Sequence, residues 1–190
     1  MSDNRVWKLD EPFTKEKLSQ FKSGDTVLIT GTIYTARDAA HKRLIEMVQK
    51  GESLPFAIEN SIIYYVGPTP AKDGYPIGSA GPTTSYRMDA YAPQLLDMGQ
   101  AAMIGKGQRN KAVKDAVVRN GTVYFAAIGG AAALVSKSIV SAEVIVFDDL
   151  GAEALRKLNV VEMPVTVVLD SHGGDLYIEG RENYLKSLEK

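Results

Sequence analysis

Three features of the sequence predict an α/β fold. Strand-like and helix-like segments alternate along much of the chain, glycines separate them, and the composition is that of an ordinary globular protein. Hydrophobic residues make up 45% of the 190 residues and charged residues 24%. Because alternating strands and helices pack as layers, we expect sheet layers with covering helices. The length suits one domain over residues 1–190.

The first half of the chain contains two predicted strands and a helix. Asp25–Tyr34 is apolar and β-branched, follows a glycine and indicates a strand. The next segment has apolar residues at helical spacing, with Asp38 near its start and Gly51 at its end. Ala57–Val66 predicts a second strand. Gly67–Pro82, rich in glycine and proline, predicts a long irregular loop, and loops of this length in compact domains are typically functional.

Two helices are predicted after this loop. The segment Met88–Met98 has helical spacing, and Pro93 makes that helix start late or kink. The apolar piece Ala101–Ile104 comes next, and a helix follows over Ala112–Val117, with Gly121 at its end.

The remaining segments alternate again. Strands are predicted at Thr122–Ile128, Ala142–Phe147 and Val165–Asp170, and a short helix at Ala154–Leu158. The run His172–Asp175 predicts a turn into residues 176–178.

Composition excludes several classes of function. A net charge of -1 argues against a nucleic-acid coat or a polybasic membrane anchor. Without cysteine the chain offers no disulfide, thiolate nucleophile or thiolate metal ligand, and His41 and His172 alone cannot close a zinc site, so we expect no metal ligands here. No apolar run approaches the length of a membrane span, and the start lacks a signal-peptide core, so we expect a cytoplasmic protein.

The first candidate site is Thr35–Asp38, at a predicted strand-to-helix junction. Arg37 beside a helix N-terminus suits an anion such as a carboxylate. The alternative is a surface ion pair with Asp38 or Glu46. His41, one turn later, either packs against the fold or contributes a near-neutral imidazole to catalysis.

The second candidate is Gly78–Arg87, with small residues, three consecutive hydroxyls and Arg87. Such a turn can present N–H groups to an anion, or Thr83, Thr84 or Ser85 can cap the following helix. It lacks the order of a P-loop.

Further along, Lys106 lies between two glycines and either meets a ligand or stays an exposed loop lysine. Gly129 and Gly130 indicate close backbone packing or another anion-binding turn. Asp148 and Asp149 are expected to be solvated.

Together, two arginines and a lysine near hydroxyls suit a small di-acid, since each arginine can bind one carboxylate bidentately. No side chain stands out as a base, so the chemistry is expected to need a group from another chain.

Five runs carry a resemblance over nearly the whole chain. They are TARDAAHKR (Thr35–Arg43), GPTPAKDGYPIGSAGPTTSYRMD (Gly67–Asp89), IGKGQR (Ile104–Arg109), GGAAALVSKSI (Gly129–Ile139) and MPVTVVLDSHGGDL (Met163–Leu176). They resemble the β subunit, or C-terminal domain, of class I iron–sulfur fumarate hydratases and the related L(+)-tartrate dehydratase β subunit. The first run resembles the fumarases more than the tartrate dehydratases.

The resemblance implies a swivelling β/β/α domain and reversible hydration of fumarate to L-malate. It implies a [4Fe–4S] cluster whose cysteines lie in a partner α subunit and whose iron acts as a Lewis acid on the departing hydroxyl. We therefore expect a hetero-oligomer that binds fumarate or malate, with no nucleic-acid or membrane partner.

By position, the resemblance assigns Arg37, Arg87 and Lys106 to substrate binding and Thr83 to abstraction of the C3 proton of malate. A threonine hydroxyl is a poor base unless activated, so that role rests on the resemblance alone. Supporting positions are Thr84, Ser85 and His41.

The sequence also departs from the family pattern. Gln108 stands where asparagine is common, and Arg156 and Asn159 stand in a segment where the family commonly has a tryptophan and an acidic residue. These departures lie outside the arginine and GPTT motifs, and they leave the exact substrate and the partner surface open. The alternatives to a fumarase subunit are a hydro-lyase for tartrate or another di-acid, or a non-catalytic assembly module.

Overall fold

The computed structural model describes residues 6–71, 74–127 and 132–181. Within them the chain forms seven strands and several short helices. The strands are β1 (Val6–Asp10), β2 (Thr26–Thr35), β3 (Ile62–Tyr64), β4 (Ala102–Gly105), β5 (Val123–Ala126), β6 (Ile139–Val146) and β7 (Leu155–Leu169). The α-helices are α1 (Lys15–Leu18), α2 (Asp38–Gln49), α3 (Ala92–Asp97), α4 (Lys111–Asn120) and α5 (Ala132–Ser138). Two 3₁₀ segments cover Ser85–Met88 and Asp148–Glu153, and residues 176–181 are helical.

The strands belong to one sheet that closes on itself. Strands β1 to β5 pair with their neighbours in parallel. Strand β7 runs antiparallel to β5 and also to β2, so β2, β3, β4, β5 and β7 form a closed ring of hydrogen-bonded strands. Strand β1 lies beside the first half of β2, and β6 lies beside the first half of β7, both outside the ring.

A bulge lets β2 change neighbours. The register with β7 shifts between Ile29 and Gly31, just after β1 ends opposite Thr30 and before β3 begins opposite Tyr34. Gly31 has a φ of 142°, and a Cβ there would lie 2.5 Å from the Glu11 side chain. Glycine is therefore required at this point of the strand.

Two apolar clusters fill the two sides of the ring strands. One cluster draws residues from all five ring strands, including Ile33, Ile62 and Phe125. The other places Ile63 and Met103, which face the opposite way, against the apolar faces of α2, α3 and α4. Strands β3 and β4 are buried on both faces, which explains their continuous apolar sequence.

The α/β class is confirmed, as are the strand at β2, the helices α2 and α4 and the late start of α3, which has Pro93 in its first turn. The strand predicted at Ala57–Val66 is reduced to β3, because residues 57–61 form a loop in which Asn60 has a φ of 58°. β1 and α1 were not predicted. Ile128, the last residue of another predicted strand, lies outside the described residues.

The short helix predicted at Ala154–Leu158 is wrong. Strand β7 begins at Leu155, and the helical turn comes earlier, at Asp148–Glu153. Leu155 packs in the helix-side cluster and Leu158 in the ring cluster. Residues three apart lie on opposite faces of a strand, so two buried faces imitate a helical spacing.

Across residues 6–71, 74–127 and 132–181, no helix combines the length and apolar character that crossing a bilayer requires.

Candidate functional site

The carboxyl ends of four parallel strands bring the predicted site residues to one edge of the ring. The ends are in register: Thr35 lies opposite Tyr64, and Gly105 opposite Ala126. Ligands of such sheets bind where the chain leaves the carboxyl ends of the strands. We call this edge the rim. Gly129 and Gly130, which follow β5, lie outside the described residues.

Arg37 reaches the rim at the junction of β2 and α2. Its backbone is extended and occupies the N-cap position of α2. Its Nη2 lies 3.0 Å from Glu153 Oε1 and 3.7 Å from Asp38 Oδ1. Gly67, after β3, packs so closely that a Cβ there would lie 3.0 Å from Arg37 Cδ. The pairing with Asp38 that the sequence allowed forms, but the closer partner is Glu153, which no local pattern indicated.

The hydroxyl-rich segment is bound to the ends of β3 and β4 by backbone hydrogen bonds. The Thr83 N–H donates to the Tyr65 carbonyl (2.7 Å), and the Ser85 N–H donates to the Lys106 carbonyl (2.9 Å). Thr84 occupies the N-cap position of the 3₁₀ turn, and its side chain makes no capping hydrogen bond. The hydroxyl of Thr83 is therefore carried on a fixed backbone at the rim.

Arg87 projects from this 3₁₀ turn towards α2. Its Nη1 lies 3.9 Å from Asp38 Oδ1, the same oxygen that Arg37 approaches, and its side chain is 48% exposed. The two guanidinium groups therefore flank one carboxylate. Lys106 is exposed at the end of β4.

Ser85 is buried and faces the protein rather than the rim. Its Oγ accepts the Lys106 N–H (3.0 Å) and lies 2.9 Å from the Tyr124 hydroxyl, which also lies 3.0 Å from the Gly107 carbonyl. A Cβ on Gly105 would stand 2.0 Å from Ser85 Oγ, so this contact requires glycine.

His41 is also buried, behind the rim. Its Nδ1 donates to the Arg37 carbonyl (2.9 Å), and its ring packs against Tyr65 and Tyr91. Burial lowers the pKa of His41 from 6.5 to about 4, with the hydrogen bond to the Arg37 carbonyl opposing this shift and the Arg109 charge assisting it. The imidazole is therefore neutral at physiological pH and packs within the fold.

Sequence reasoning passed over three buried or half-buried groups near the rim: Glu153, Asp89 and Arg109. The side chains of Asp89 and Arg109 are almost fully buried and form an ion pair. Asp89 and Arg109 are each the last residue of a run that carries the family resemblance, but neither belongs to a periodic pattern. The available signal was a charged residue inside a family motif with no oppositely charged residue nearby in the sequence.

Two outlying candidates lie away from the rim cations. Asp149, expected to be solvated, forms a bidentate pair with Arg43 (2.7 and 2.5 Å). His172 is exposed in its predicted turn, with Nε2 2.8 Å from the Ser19 carbonyl oxygen. Neither contributes a group to the rim.

The chemistry available at the rim is anion binding. Arg37 and Arg87 both approach the Asp38 carboxylate, Arg37 also pairs with Glu153, and Lys106 is exposed at the end of β4 on the same edge. Paired arginines bind a dicarboxylate well. In the described part of the chain, no group of three or more metal-ligating side chains is brought together.

Comparisons with known proteins agree on one family. A family model described as the fumarase C-terminus matches residues 1–180. The chain is 41% identical over 165 residues to fumarate hydratase 2 of Leishmania major, covering 86% of this chain and 29% of that protein. It is 40% identical over 163 residues to the aerobic class I fumarate hydratase of Escherichia coli K12, covering 85% and 30%.

A shorter relative matches along almost its whole length. The putative L(+)-tartrate dehydratase subunit beta of Methanocaldococcus jannaschii is 39% identical over 183 residues, which cover 93% of this chain and 94% of that protein. By contrast, the chain spans about 30% of the length of the two fumarate hydratases.

Proposed function

The chain belongs to the fumarase C-terminus family, and on that premise we propose that it binds the dicarboxylate in a hydro-lyase that converts fumarate and L-malate. One observation carries the proposal: Arg37 and Arg87 both approach Asp38 Oδ1, at 3.7 and 3.9 Å, on a rim that also presents Lys106. Each guanidinium can take one carboxylate of a four-carbon di-acid in bidentate geometry. Asp38 and Glu153 hold the arginines in place until substrate binds.

Thr83, as an alkoxide, is the proposed acceptor of the C3 proton of malate. The electron pair of the broken C3–H bond forms the C2=C3 double bond as the C2–O bond breaks, and the hydroxyl leaves as water with a proton from an acid–base group of the α partner. The hydrogen bond from the Thr83 N–H to the Tyr65 carbonyl fixes the backbone that carries the Thr83 hydroxyl. The neighbouring cations favour an alkoxide, because positive charge lowers the pKa of a hydroxyl. The next residue, Thr84, forms a parallel bridge with Lys106 and so joins this segment to the end of β4.

We propose that the chain acts as a β subunit beside an α subunit. The near full-length match to a protein named as a beta subunit supports this, as does the small share of the longer fumarate hydratases that the chain covers. The chain has no cysteine and so cannot ligate a [4Fe–4S] cluster, which the proposal assigns to the α partner. A swivel of the whole domain against that partner would open and close the shared site.

A tartrate dehydratase is the second candidate. The relative that matches this chain almost from end to end, over 93% of this chain and 94% of its own length, carries that name. Tartrate is also a four-carbon di-acid, so the arginine pair suits both substrates equally.

The test is anaerobic turnover by the chain alone and by the chain mixed with its cysteine-bearing partner after cluster reconstitution. We expect activity only in the mixture. Arg87→Ala and Thr83→Ala should each lower kcat/KM by about 100-fold or more, the scale of losing a charged or reacting group in an active site. Arg119→Ala is the matched control, since this arginine pairs with Asp97 on the surface.

Parallel assays with fumarate and tartrate separate the two candidates. Activity in the isolated chain, or normal turnover of both variants in the mixture, would overturn the proposal. Variants that stay fully active while the chain still stabilises its partner would indicate an assembly module instead.

A further inference from the structure

A buried ion pair lies directly behind the rim. Arg109 Nε donates to Asp89 Oδ1 at 2.6 Å, and the two side chains are 0% and 8% exposed. Asp89 Oδ2 accepts the Asn110 N–H at 2.7 Å. The guanidinium of Arg109 also stacks on two aromatic rings, 5.3 Å from the centre of Tyr65 and 5.0 Å from that of Tyr124.

Stability alone does not explain this pair. Removing two charges from water costs several kcal/mol per ion, and apolar residues of similar volume often serve a core equally well or better. Arg109 also makes an uncommon contact for a guanidinium, from Nη1 to Met103 Sδ at 3.2 Å. The ion pair is better explained by the two chain segments that it connects.

The pair joins two of the three segments that carry the rim cations, those of Arg87 and Lys106. Asp89 directly follows the 3₁₀ turn that bears Arg87, and Arg109 lies three residues after Lys106. The ion pair therefore connects the base of one segment to the base of the other.

Tyr65 and Tyr124, whose rings lie against the Arg109 guanidinium, extend this connection. The Tyr65 carbonyl accepts the Thr83 N–H, and the Tyr124 hydroxyl contacts the Gly107 carbonyl oxygen and Ser85 Oγ. Both rings rest on the Arg109 guanidinium. A shift of the Arg109 side chain would therefore be transmitted to the end of β3, the hydroxyl-rich segment and the end of β4.

We propose that Arg109 and Asp89 are positioning residues that fix the spacing of Arg87, Lys106 and Thr83 for the dicarboxylate. The inference rests on the proposed function for its substrate. It goes beyond the proposed function because it assigns selectivity for the length of the di-acid to Arg109 and Asp89, which lie behind the rim and do not contact the substrate.

The variants are Arg109→Met, Asp89→Asn and the two combined, each measured in the assembled enzyme. Either single change leaves one buried charge unpaired and should lower the unfolding temperature. The combined change removes both charges and leaves an unbranched apolar side chain of roughly similar length in place of Arg109, so it should recover most of that temperature. Arg109→Lys keeps the charge but loses the planar fork, and it serves as a milder second variant. Asp97→Asn with Arg119→Met, on the exposed pair, is the matched control.

If the pair positions the rim, a variant can regain its unfolding temperature without regaining substrate binding. In the combined variant and in Arg109→Lys we expect KM to rise by about 10- to 100-fold and the preference for a four-carbon over a five-carbon di-acid to fall. The amides of Ser85 and Lys106 should exchange hydrogen about tenfold faster, because the hydrogen bonds that join their segments loosen. Amides in the centre of β2 should be unchanged.

The outcomes are distinguishable. If the combined variant regains KM together with its unfolding temperature, or if the Ser85 and Lys106 amides keep their exchange rates in Arg109→Lys, the positioning role is overturned. If the unmodified enzyme hydrates or dehydrates no dicarboxylate, the proposed function fails. Hydrogen exchange requires no substrate and still decides whether the pair positions the rim.

Discussion

His41 shows how a single buried side chain can make folding depend on pH. The folded state holds its pKa at about 4, chiefly through burial, whereas an unfolded chain has a histidine pKa near 6.5. Between these values the unfolded state binds a proton that the folded state does not. Stability should therefore fall as the pH drops from about 6.5 to about 4, by up to about 3 kcal/mol.

The variant His41→Asn tests this expectation. Its side-chain amide keeps a donor for the Arg37 carbonyl but does not titrate. Urea unfolding across that pH range should show a shallower loss of stability in the variant than in the wild-type protein. The exposed His172→Asn is the control and should keep the wild-type slope. Equal slopes in all three proteins would contradict the assignment.

At the scale of single residues, the sequence indicates some residues of the site but not others. Arg37, Arg87 and Lys106 lie in short runs of glycine and hydroxyl residues, where a ligand-binding role is visible locally. Glu153, the closest partner of Arg37, lies 116 positions away and becomes its neighbour only after β7 pairs with β2. Such a partner cannot be predicted from spacing.

At the scale of elements, the contact between the end of β4 and the hydroxyl-rich segment is the most sensitive one. Gly105→Ala would place a Cβ 2.0 Å from Ser85 Oγ and 3.0 Å from the Tyr65 ring. We expect a loss of about 1–3 kcal/mol in stability, typical of overpacking, together with weaker dicarboxylate binding. Denaturant unfolding and KM in the assembled enzyme measure the two effects.

Gly81→Ala is the matched control for this change. Gly81 lies just before the hydroxyl-rich segment, and a Cβ there meets nothing within 4 Å. Its stability should stay within about 0.5 kcal/mol of the wild-type value. A Gly105→Ala protein as stable and as active as this control would show that the segment tolerates separation from β4.

Elements were predicted best where one face is apolar. α2 and α4 have that pattern, and Gly121 ends α4 in the left-handed conformation. The start of β7 imitates a helix because Leu155 and Leu158 are buried on opposite faces of the strand. β1 escapes prediction because it is only five residues long and contains the charged residues Lys8 and Asp10. A short or doubly buried strand carries no distinctive period.

For the whole molecule, ring closure depends on the bulge in β2. Gly31→Ala would place a Cβ 2.5 Å from Glu11 Cγ and 3.0 Å from the Phe13 ring, at a φ that L-residues rarely adopt. We expect a loss of about 2 kcal/mol or more, from backbone strain and displaced packing. Thermal unfolding measures it, and Gly180→Ala, with open space around it, is the control. A negligible loss would mean that β2 changes neighbours without the bulge.

The class of the fold was predictable, but its closure was not. Periodicity identifies strands one at a time and carries no information on their order in a sheet. The pairing of β2 with β7 joins two strands that lie far apart in the chain, and together with the pairing of β5 with β7 it closes the parallel strands into a ring.

This pairing also has a consequence for synthesis on the ribosome. The residues of β2 emerge early, yet their partners in β7 follow about 130 positions later. At translation rates of about 5–20 residues per second, one edge of β2 waits roughly 7 to 25 seconds for its partner. During that interval the nascent chain exposes an unpaired, apolar strand, which is the form most open to chaperones and to aggregation.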